Sequence, residues 1–245
     1  MHRLYPARPA DEVDAHHAVA RSREPLNGCP WLMLNMVASI DGAAAVDGLS
    51  GGLSGPADMQ MFAELRGAAD VILVGAGTAN SERYRPPRRS SARLAIVSGS
   101  GSIDPSLPLF AARRTGPNTQ VPLIVTTAEA GPAVEAGLAG RAEVFEAGTD
   151  TVDLNAALMH LAEQGARVVL CEGGPQLNAS LLAADLVDEI NLTIAPLAIG
   201  GSAPRIAGSA SGHRDTPSPR GFDVDQVMAD GDVLFMRWIR SRRRS

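Results

Sequence analysis

The chain has 245 residues, enough for one large α/β domain or two small ones, and its 45% hydrophobic and 20% charged residues are typical of a folded soluble protein. A formal net charge of −5 argues against nucleic acid as a general partner, and no apolar run approaches the roughly 20 residues that a membrane helix needs. All 22 basic residues are arginine, which excludes Schiff-base catalysis by lysine and a phosphate-binding loop of the Gly-Lys-Ser/Thr type.

The two ends of the chain differ in composition from the part between them. Residues 1–29 are rich in proline, charge and histidine and lack the apolar core of a signal peptide, so we expect a leader that wraps the domain or is partly disordered. Residues 30–240 form the predicted domain, and residues 241–245 a basic tail. Because residues 1–29 lack a signal-peptide core and no apolar run is long enough for a membrane helix, a cytoplasmic location is expected by default. Two cysteines make neither a disulfide framework nor a zinc cluster, and no metal site is predicted.

From residue 31 onward, apolar runs and amphipathic segments alternate. In chain order they predict a strand at 31–40, a helix at 57–68, strands at 71–74, 94–97, 123–125 and, more weakly, 144–145, a helix at 153–164, a strand at 168–171, a helix at 175–184, and strands at 189–195, 222–228 and 233–239. Residues 200–221 are rich in glycine, serine and proline and predict a long loop. Asp230 and Gly231 indicate a hairpin between the last two strands.

Strands that alternate with helices predict an α/β fold with a mixed, mostly parallel sheet flanked by helices, and the last two strands add an antiparallel C-terminal hairpin. In such sheets ligands bind beyond the carboxyl ends of the strands. Glycine, hydroxyl and acidic residues collect at five of these ends, namely 39–42, 75–78, 98–102, 126–127 and 172–175. We therefore expect the functional site along this edge of the sheet.

The most informative of these places is the stretch 168–177. An apolar, β-branched run predicts a buried strand, and Glu172 follows at its carboxyl end. Gly173 and Gly174 then open a turn, and Pro175 stands where the first turn of a helix accepts proline. The free N–H groups and positive dipole end of such a helix suit a phosphate or pyrophosphate. On this segment alone, an ordinary strand–turn–helix is the alternative.

The strand at 31–40 carries polar residues on one face. Asn35 and Ser39 are four residues apart and so point to the same side, and Asp41 would follow them if the strand persisted. Polar side chains on one face of an apolar strand predict a lined cleft. The alternative is that Asn35 and Ser39 are hydrogen-bonded core residues followed by a plain turn.

Two further strand ends are candidate nucleotide-binding segments. The run Val74-Gly75-Ala76-Gly77-Thr78 could hold a cofactor phosphate or a nicotinamide, or could be a tight strand-to-helix turn. The run that begins at Ser98 and alternates serine with glycine to residue 102 could cradle the 2′-phosphate of NADPH, or could be a flexible loop.

Together these segments resemble the reductase domain of riboflavin biosynthesis, the RibD C-terminal family, which has a dihydrofolate-reductase-like fold. The matching segments are 39–42, 74–78, 172–177, 186–189 and 194–196, followed by Gly200 and Gly201. They occur in the family's order and extend over residues 30–240, so the resemblance covers nearly the whole predicted domain.

The resemblance implies a reductase that uses NADPH to convert the ribose of 5-amino-6-(5-phosphoribosylamino)uracil, or of its diaminopyrimidinone counterpart, into a ribityl chain. It implies that Asn35, Asp41 and Glu172 are the candidate catalytic residues. Of these, Glu172 is the best candidate to orient or protonate the sugar. Ser39 would contact the substrate. The resemblance also implies a cofactor-binding set consisting of Val74, Gly75, Thr78, Ser98, Thr126, Gly173, Gly174, Pro175 and Leu177. Gly75 and Thr78 would line the nicotinamide, and Gly173 and Gly174 the pyrophosphate.

The chain departs from the family's pattern in three ways. It has no zinc-deaminase signature of the kind that fused bacterial members carry, so it resembles a stand-alone reductase. It has Asn35 where those fused members tend to have lysine. Residues 81–86 replace a segment that helps to form the substrate pocket in the family, and there Arg83 or Arg85 could bind a substrate phosphate or simply lie on the surface.

Because of the third departure, other functions stay open. One alternative keeps the hydride donor and changes the acceptor to a pterin such as dihydrofolate or to another heterocycle. Another is a nucleotide-binding relative without turnover. The resemblance, together with the apolar edge expected beside the last hairpin, also predicts a homodimer whose only other partner is a small-molecule substrate.

Overall fold

The computed structural model describes residues 1–5, 15, 19, 22–25, 28–87, 90–111, 120–208 and 219–241. Its strands are β1 (His2–Tyr5), β2 (Trp31–Ser39), β3 (Val71–Gly75), β4 (Arg93–Ser98), β5 (Leu123–Thr126), β6 (Glu143–Glu146), β7 (Val168–Cys171), β8 (Glu189–Ala195), β9 (Phe222–Asp230) and β10 (Val233–Arg240). The helices whose bounds lie in the described residues are α1 (Pro56–Gly67), α2 (Ala76–Ser81), α3 (Gly131–Leu138), α4 (Leu154–Glu163) and α5 (Pro175–Ala183).

All ten strands belong to one sheet, in the order β1-β9-β10-β8-β2-β7-β3-β4-β5-β6. The seven strands from β8 to β6 are parallel to one another, and β10, β9 and β1 pair antiparallel at one edge. The predicted α/β architecture, mostly parallel with an antiparallel C-terminal hairpin, is therefore confirmed.

The path of the chain through this sheet defines a place at the carboxyl ends of β3 and β7 that we name the crevice. From β3 the chain runs outward through β4, β5 and β6, then returns to insert β7 between β2 and β3, and finally places β8 on the far side of β2. The direction of strand addition thus reverses between β3 and β7. In open α/β sheets, such a reversal opens a crevice at the carboxyl ends of the two strands, and ligands bind there.

Both faces of the sheet are covered by helices, and alternate strand residues supply the two cores. On the first side, which we name the α1 face, Met33 and Leu170 pack against Met61 and Leu65 of α1. On the other side, the α4 face, Leu32 and Leu34 share a core with side chains of α4 and α5. Residues 35 and 39 of β2 fall on the α1 face, because they alternate in step with Met33.

Several elements differ from those the sequence predicts. Helices α2 and α3 are not predicted, because glycines at the start of each, and Gly137 inside α3, indicate turns. Asp230 pairs with Val233, so the hairpin turn is Gly231–Asp232 and lies one residue later than expected. Within the predicted leader, His2–Tyr5 forms an edge strand on β9. The middle of the predicted loop (209–218) and most of the tail (242–245) lie outside the described residues.

No helix in the described part of the chain combines the length and the apolar character that spanning a membrane requires.

Candidate active site

The ends of β3 and β7 cross at close range, and glycines make the crossing possible. The Gly75 amide donates to the Gly173 carbonyl at 3.0 Å, and a Cβ added to Gly174 would lie 3.3 Å from the Cα of Gly75. Gly173 and Gly174 have φ values of +105° and +100°, a region that L side chains rarely adopt. The predicted turn is therefore a backbone crossing at the crevice, at the same edge of the sheet as Ser39.

Helix α5 begins directly at this crossing. Gly174 is its N-cap and Pro175 its first residue. Its first-turn N–H groups have no partner inside the helix and carry the positive end of its dipole. Gln176 is exposed there, whereas Leu177 is buried in the core of the α4 face. The segment after β8 closes over this end of α5, since Asn178 Nδ2 donates to the Ile206 carbonyl at 2.7 Å.

The remaining predicted cofactor residues divide into buried and accessible ones. Val74 and Thr126 are fully buried, and the Thr126 hydroxyl donates to the Ser98 carbonyl at 2.7 Å, so it ties the end of β5 to that of β4. Thr78 is half-buried in α2, and Gly99 and Ser100, which follow Ser98, are exposed. At the end of β4, the loop after Ser98 is accessible to a ligand. The cofactor contacts of these residues stay predictions.

Glu172 lies at the end of β7 in a buried ionic cluster that we name the Glu172 cluster, made of Arg66, Tyr84 and Glu172. Arg66 of α1 binds both carboxylate oxygens, at 2.6 and 2.7 Å, and the Tyr84 hydroxyl donates to one of them at 2.7 Å. The Glu172 side chain is only 1% exposed. Three strong donors hold this carboxylate in place, which gives it a positioning task; a role in proton transfer stays a prediction.

Electrostatics keep the two partners of Glu172 protonated. Burial on its own lowers the pKa of the Arg66 guanidinium, but the hydrogen bonds and negative charge of Glu172 outweigh burial and leave that pKa raised. Burial, and then the charge of Glu172, raise the pKa of the Tyr84 phenol well above its ordinary value. Tyr84 therefore remains a neutral hydrogen-bond donor at physiological pH.

Ser39 and Asp41 do not project together from the strand, because β2 ends at Ser39. The buried Ser39 hydroxyl donates to Asp41, which also accepts the backbone N–H of Ile199 at 3.1 Å and of Gly200 at 2.6 Å. The hydrogen bond from Ser39, and then those from Gly200 and Ile199, lower the pKa of Asp41 to about 2. Asp41 thus anchors the segment after β8, and contact of either residue with a substrate stays a prediction.

Asn35 lines a cleft between α1 and the sheet, which we name the α1 cleft. Its lining comes from β2, α1, β8 and the C-terminal hairpin and comprises Asn35, Met61, Leu65, Asn191, Leu192, Thr193, Gln226, Met228, Phe235, Met236 and Arg237. Leu192 and Met236 alternate with residues whose side chains face α1, so their own side chains lie on the α4 face. Asn35 and Asn191 are register partners on neighbouring parallel strands. The polar face that the sequence predicts on β2 therefore does line a cleft, although Ser39 is not part of its lining.

A carboxylate that the sequence does not single out lies against this cleft. Asp58, in the first turn of α1, is 9% exposed. It accepts a hydrogen bond from the Thr193 hydroxyl at 2.6 Å and another from the Ser54 hydroxyl. These two donors fix the carboxylate, which is joined to the cleft through Thr193.

Arg83 and Arg85 lie beyond α2 and are exposed. Arg83 makes a salt bridge of 3.4 Å with Asp104. The same segment contributes more to the site through Tyr84, which reaches the Glu172 cluster. Binding of a substrate phosphate by Arg83 or Arg85 stays a prediction.

Asp58, Arg66, Tyr84 and Thr193 are the residues that sequence reasoning missed. One local signal was available, since Ser54 precedes the predicted helix and Asp58 lies in its first turn, where acids are favoured. The pairing of Asp58 with Thr193, 135 residues later, depends on the placement of β8 beside β2. No spacing along the chain indicates such a pair.

The site as a whole combines a backbone-lined crevice with a side-chain-lined cleft. The crevice offers N–H donors to an anionic group. The cleft, one strand away across β2, offers amides, a hydroxyl and a carboxylate to a polar ring. Such an arrangement places an anion-binding backbone segment beside a polar cleft.

Comparisons with known proteins agree with this architecture. The family model of the RibD C-terminal domain matches residues 30–219. The chain is 34% identical over 182 residues to the 2,5-diamino-6-ribosylamino-4(3H)-pyrimidinone 5′-phosphate reductase of Methanothermobacter thermautotrophicus, covering 72% of this chain and 82% of that protein. The corresponding reductase of Archaeoglobus fulgidus is 29% identical over 187 residues, which is 70% of this chain and 83% of that protein.

Solved structures give the same result. A crystal structure of a pyrimidine reductase-like protein from Corynebacterium diphtheriae superimposes with a TM-score of 0.80 and 26% identity, covering 94% of this chain and all of that one. The chain belongs to the RibD C-terminal domain family.

Proposed function

We propose that this protein uses NADPH to reduce the ribosyl group of a ribosylaminopyrimidine 5′-phosphate to a ribityl group. The observation that carries the proposal is the crossing of Gly75 with Gly173 and Gly174 at the start of α5, one strand away from a polar cleft. Relatives named for this reductase activity match most of the chain. The proposal extends their activity to a site whose geometry suits both reactants.

The residues at the crevice fit a dinucleotide. The pyrophosphate would lie against the first-turn N–H groups of α5. Gly75 and Thr78 would flank the nicotinamide, and the exposed loop after Ser98 would hold the adenosine phosphate. When bound, NADPH supplies a hydride, which needs its donor carbon about 3–3.5 Å from the acceptor carbon.

The substrate would occupy the α1 cleft with its ribose toward the crevice. As the hydride joins C1′, the C1′–O4′ bond breaks and O4′ takes up a proton, so the ring opens to the ribityl chain. Asn35, which lines the cleft, would orient the sugar. Asp58, held by Thr193 and Ser54, would bind the heterocycle and serve proton movement.

Glu172 would act indirectly, as a positioning residue. It sits immediately before the two glycines and is clamped by Arg66 and Tyr84. The clamp would fix the direction in which the chain leaves β7 and therefore the place of the pyrophosphate. Asp41 would likewise hold the segment after β8 in place, and Ser39 would hold the carboxylate of Asp41.

The direct test is NADPH oxidation followed at 340 nm with the purified protein. The expected result is turnover with a ribosylaminopyrimidine 5′-phosphate and formation of the ribityl product, identified by mass. Dihydrofolate is the comparison substrate, and turnover of dihydrofolate alone would contradict the proposal. A parallel fluorescence titration measures NADPH binding. If no turnover is seen, the titration shows whether the protein fails to bind NADPH or binds it but was given the wrong acceptor.

We also propose that the protein is a homodimer. On the α4 face of the hairpin edge, Leu234 pairs with Ile194 and Met236 with Leu192, and all four are only half-buried and lie outside the core clusters of the described residues. An apolar strip of this kind fits a second copy of the same strip related by a two-fold axis. Light scattering should give a dimer mass, and Met236→Glu should yield the monomer; a monomeric wild type would contradict the proposal.

The cytoplasm is the proposed location. Cys29 and Cys171 are both free thiols, and burial raises the pKa of Cys171 to about 12, so it is an inert buried side chain. Unpaired cysteines fit a reducing compartment. Fractionation of the source cells with detection of the protein would test this.

A further inference from the structure

The floor of the α1 cleft contains one row of hydrogen-bonding side chains that crosses four strands. Asn35 of β2 is the register partner of Asn191 of β8. Arg237 of β10 pairs with Asn191 on one side and with Gln226 of β9 on the other. Residues paired in this way project from the same face of a sheet, and all four line the cleft. The polar floor therefore extends from β2 to β9.

The two inner members of the row are already bound within the protein. Asn191 Nδ2 donates to Glu189 Oε1 at 2.9 Å, and Arg237 Nε donates to Asp225 Oδ2 at 2.6 Å. These contacts hold both side chains in place and pair the charge of Arg237 with a carboxylate. The two ends of the row, Asn35 and Gln226, are therefore the better candidates for contacts with a ligand.

Gln226, at the β9 end, is a buried amide that has no partner. The residue is 4% exposed, and within the described part of the chain its side chain makes no hydrogen bond. Its amide nitrogen and oxygen nevertheless keep some accessible surface, and that surface faces the cleft. Buried polar groups are normally hydrogen-bonded, because leaving one unpaired costs free energy. An amide in this state indicates a partner that enters the cleft from outside.

The surroundings of Gln226 suit a neutral, flat group. Met228 and Phe235, 2% and 3% exposed, lie beside it in the lining and belong to the core of the α1 face. Among the residues that line the cleft, Arg237 alone is a cation, and it is bound to Asp225. Apolar walls with a few polar groups are typical of sites for rings. This end of the cleft thus fits a heterocycle better than a phosphate.

The two ends of the row lie far enough apart for a ligand that is longer than one ring. Neighbouring strands are about 4.8 Å apart, so the backbones of β2 and β9, which are three strands apart in the sheet, are separated by about 14 Å. Side chains stand roughly perpendicular to a sheet, so Asn35 and Gln226 can contact the two ends of one extended ligand. With the ribose of a ribosylaminopyrimidine at Asn35, its ring extends toward Gln226.

From these observations we infer that Gln226 binds the edge of the pyrimidine that carries N3–H and the C4 carbonyl. Its amide oxygen accepts from N3–H, and its amide nitrogen donates to the C4 carbonyl oxygen. A side-chain amide can pair with a base edge through two such hydrogen bonds. Because no partner in the protein fixes the amide of Gln226, it can turn to present donor and acceptor in the order required.

This inference rests on the proposed function and deepens it by assigning a residue to the ring. It applies equally to the diaminopyrimidinone and to the uracil, since both carry N3–H beside the C4 carbonyl. Gln226 is then a substrate-binding residue far from C1′, where the hydride is transferred.

The first test is Gln226→Met, which keeps the length of the side chain and removes both hydrogen bonds. We expect KM for the ribosylaminopyrimidine to rise about 10- to 100-fold while kcat stays within about threefold, because a contact remote from C1′ is made equally in the ground state and the transition state. The melting temperature should equal or exceed that of the wild type, since the variant no longer buries an unpaired amide.

This combination separates substrate binding from a structural role, which would lower the melting temperature and leave KM unchanged. Gln60→Met, the same change at an exposed position of α1, is the control and should alter neither KM nor kcat. An unchanged KM in Gln226→Met would overturn the inference. If Gln226→Met fails to fold, Gln226→Leu gives the same comparison with a shorter apolar side chain.

The second test changes the ligand instead of the protein. A methyl group on N3 removes the proton that Gln226 is expected to bind, so the wild type should show a similarly raised KM for the 3-methyl substrate. In Gln226→Met the two substrates should have nearly equal KM values, because the contact is already lost. A methyl penalty of the same size in both proteins would overturn the inference.

The inference and the proposed function fail in distinguishable ways. If the wild type turns over neither ribosylaminopyrimidine, the proposed function is wrong. Calorimetric titration of the NADP⁺-loaded protein with each compound still tests Gln226, because it measures Kd without turnover. A Kd that is the same in the wild type and in Gln226→Met, or no binding to either protein, would contradict the assignment of the ring to Gln226.

Discussion

The crevice and the α1 cleft lie on neighbouring strands but are built in different ways. The crevice consists of backbone, with three glycines, two of them at positive φ, and the N–H groups of a helix end. The cleft consists of side chains contributed by four elements that lie far apart in the sequence. A backbone site can bind a group that many ligands contain, such as a pyrophosphate. A side-chain site can be altered one residue at a time to suit a particular ring.

The Glu172 cluster joins these two regions and gives the largest expected effect. Removing Arg66 with Arg66→Met would leave Glu172 buried without its cation, and we expect a loss of about 3–5 kcal/mol in the free energy of unfolding. Arg167→Met is the control, because its ion pair with Glu24 has side chains 63% and 70% exposed and should contribute less than about 1 kcal/mol. Urea unfolding measures both; equal losses would show that the cluster is not a structural link.

The next largest effect should fall on the cleft. Asp58→Asn keeps the shape of the side chain but removes the charge that the Thr193 and Ser54 hydroxyls orient. We expect kcat/KM to fall about 100-fold while the Kd for NADPH stays within about twofold, because the crevice is not touched. Asp150→Asn, at an exposed position, is the control. If Asp58→Asn instead weakened NADPH binding and left turnover unchanged, the cofactor would be assigned to the cleft and the substrate to the crevice, which would contradict our account.

A glycine substitution makes the complementary test on the crevice. Gly174→Ala adds a Cβ 3.3 Å from the Cα of Gly75 at a φ of +100°, so we expect a loss of about 2 kcal/mol in stability and weaker NADPH binding. Gly137→Ala in α3 has open space around it and should be neutral or slightly stabilising. NADPH titration and thermal melting give both readouts. Unchanged affinity in Gly174→Ala would place the pyrophosphate elsewhere.

The smallest effect concerns the acid stability of the segment after β8. The pKa of Asp41 is lowered to about 2 in the folded protein, so its stabilising contribution is complete above pH 4 and disappears as the pH falls through 2. The melting temperatures of wild type and Asp41→Asn should therefore differ at pH 5 and converge toward pH 2. Asp223→Asn, an exposed change on β9, should show no such convergence. A difference that persists at pH 2 would contradict the assigned contacts.

The contrast between the backbone-built crevice and the side-chain-built cleft explains which parts of the molecule the sequence can predict. The strand at 189–195 and the Asp153 cap of α4, which accepts from the Ala156 amide at 2.9 Å, follow from local patterns and are confirmed. The crossing at Gly173 and Gly174 is also visible locally, because glycine pairs after a strand signal a special backbone. Helix α3 is hidden by its own glycines, since local rules cannot weigh the packing that overrides them.

The cleft is less accessible to sequence reasoning, because its members meet only through the strand order. Asn35 is predicted from the alternation of β2, but Asn191 and Thr193 become its neighbours only because β8 pairs with β2 in that register. Glu172 shows the opposite case. Its place beside the glycines is predicted correctly, but its partners, Arg66 and Tyr84, come from two distant segments and give it a task that its position alone does not reveal.

The central claim, that the crevice and the cleft hold cofactor and substrate side by side, is tested most directly by a crystal structure of the protein with NADP⁺ bound. We predict that the pyrophosphate oxygens lie about 3 Å from the first-turn N–H groups of α5 and that the nicotinamide ring extends from Gly75 toward Asn35. A dinucleotide bound away from the start of α5, or one whose nicotinamide points away from β2, would contradict the account.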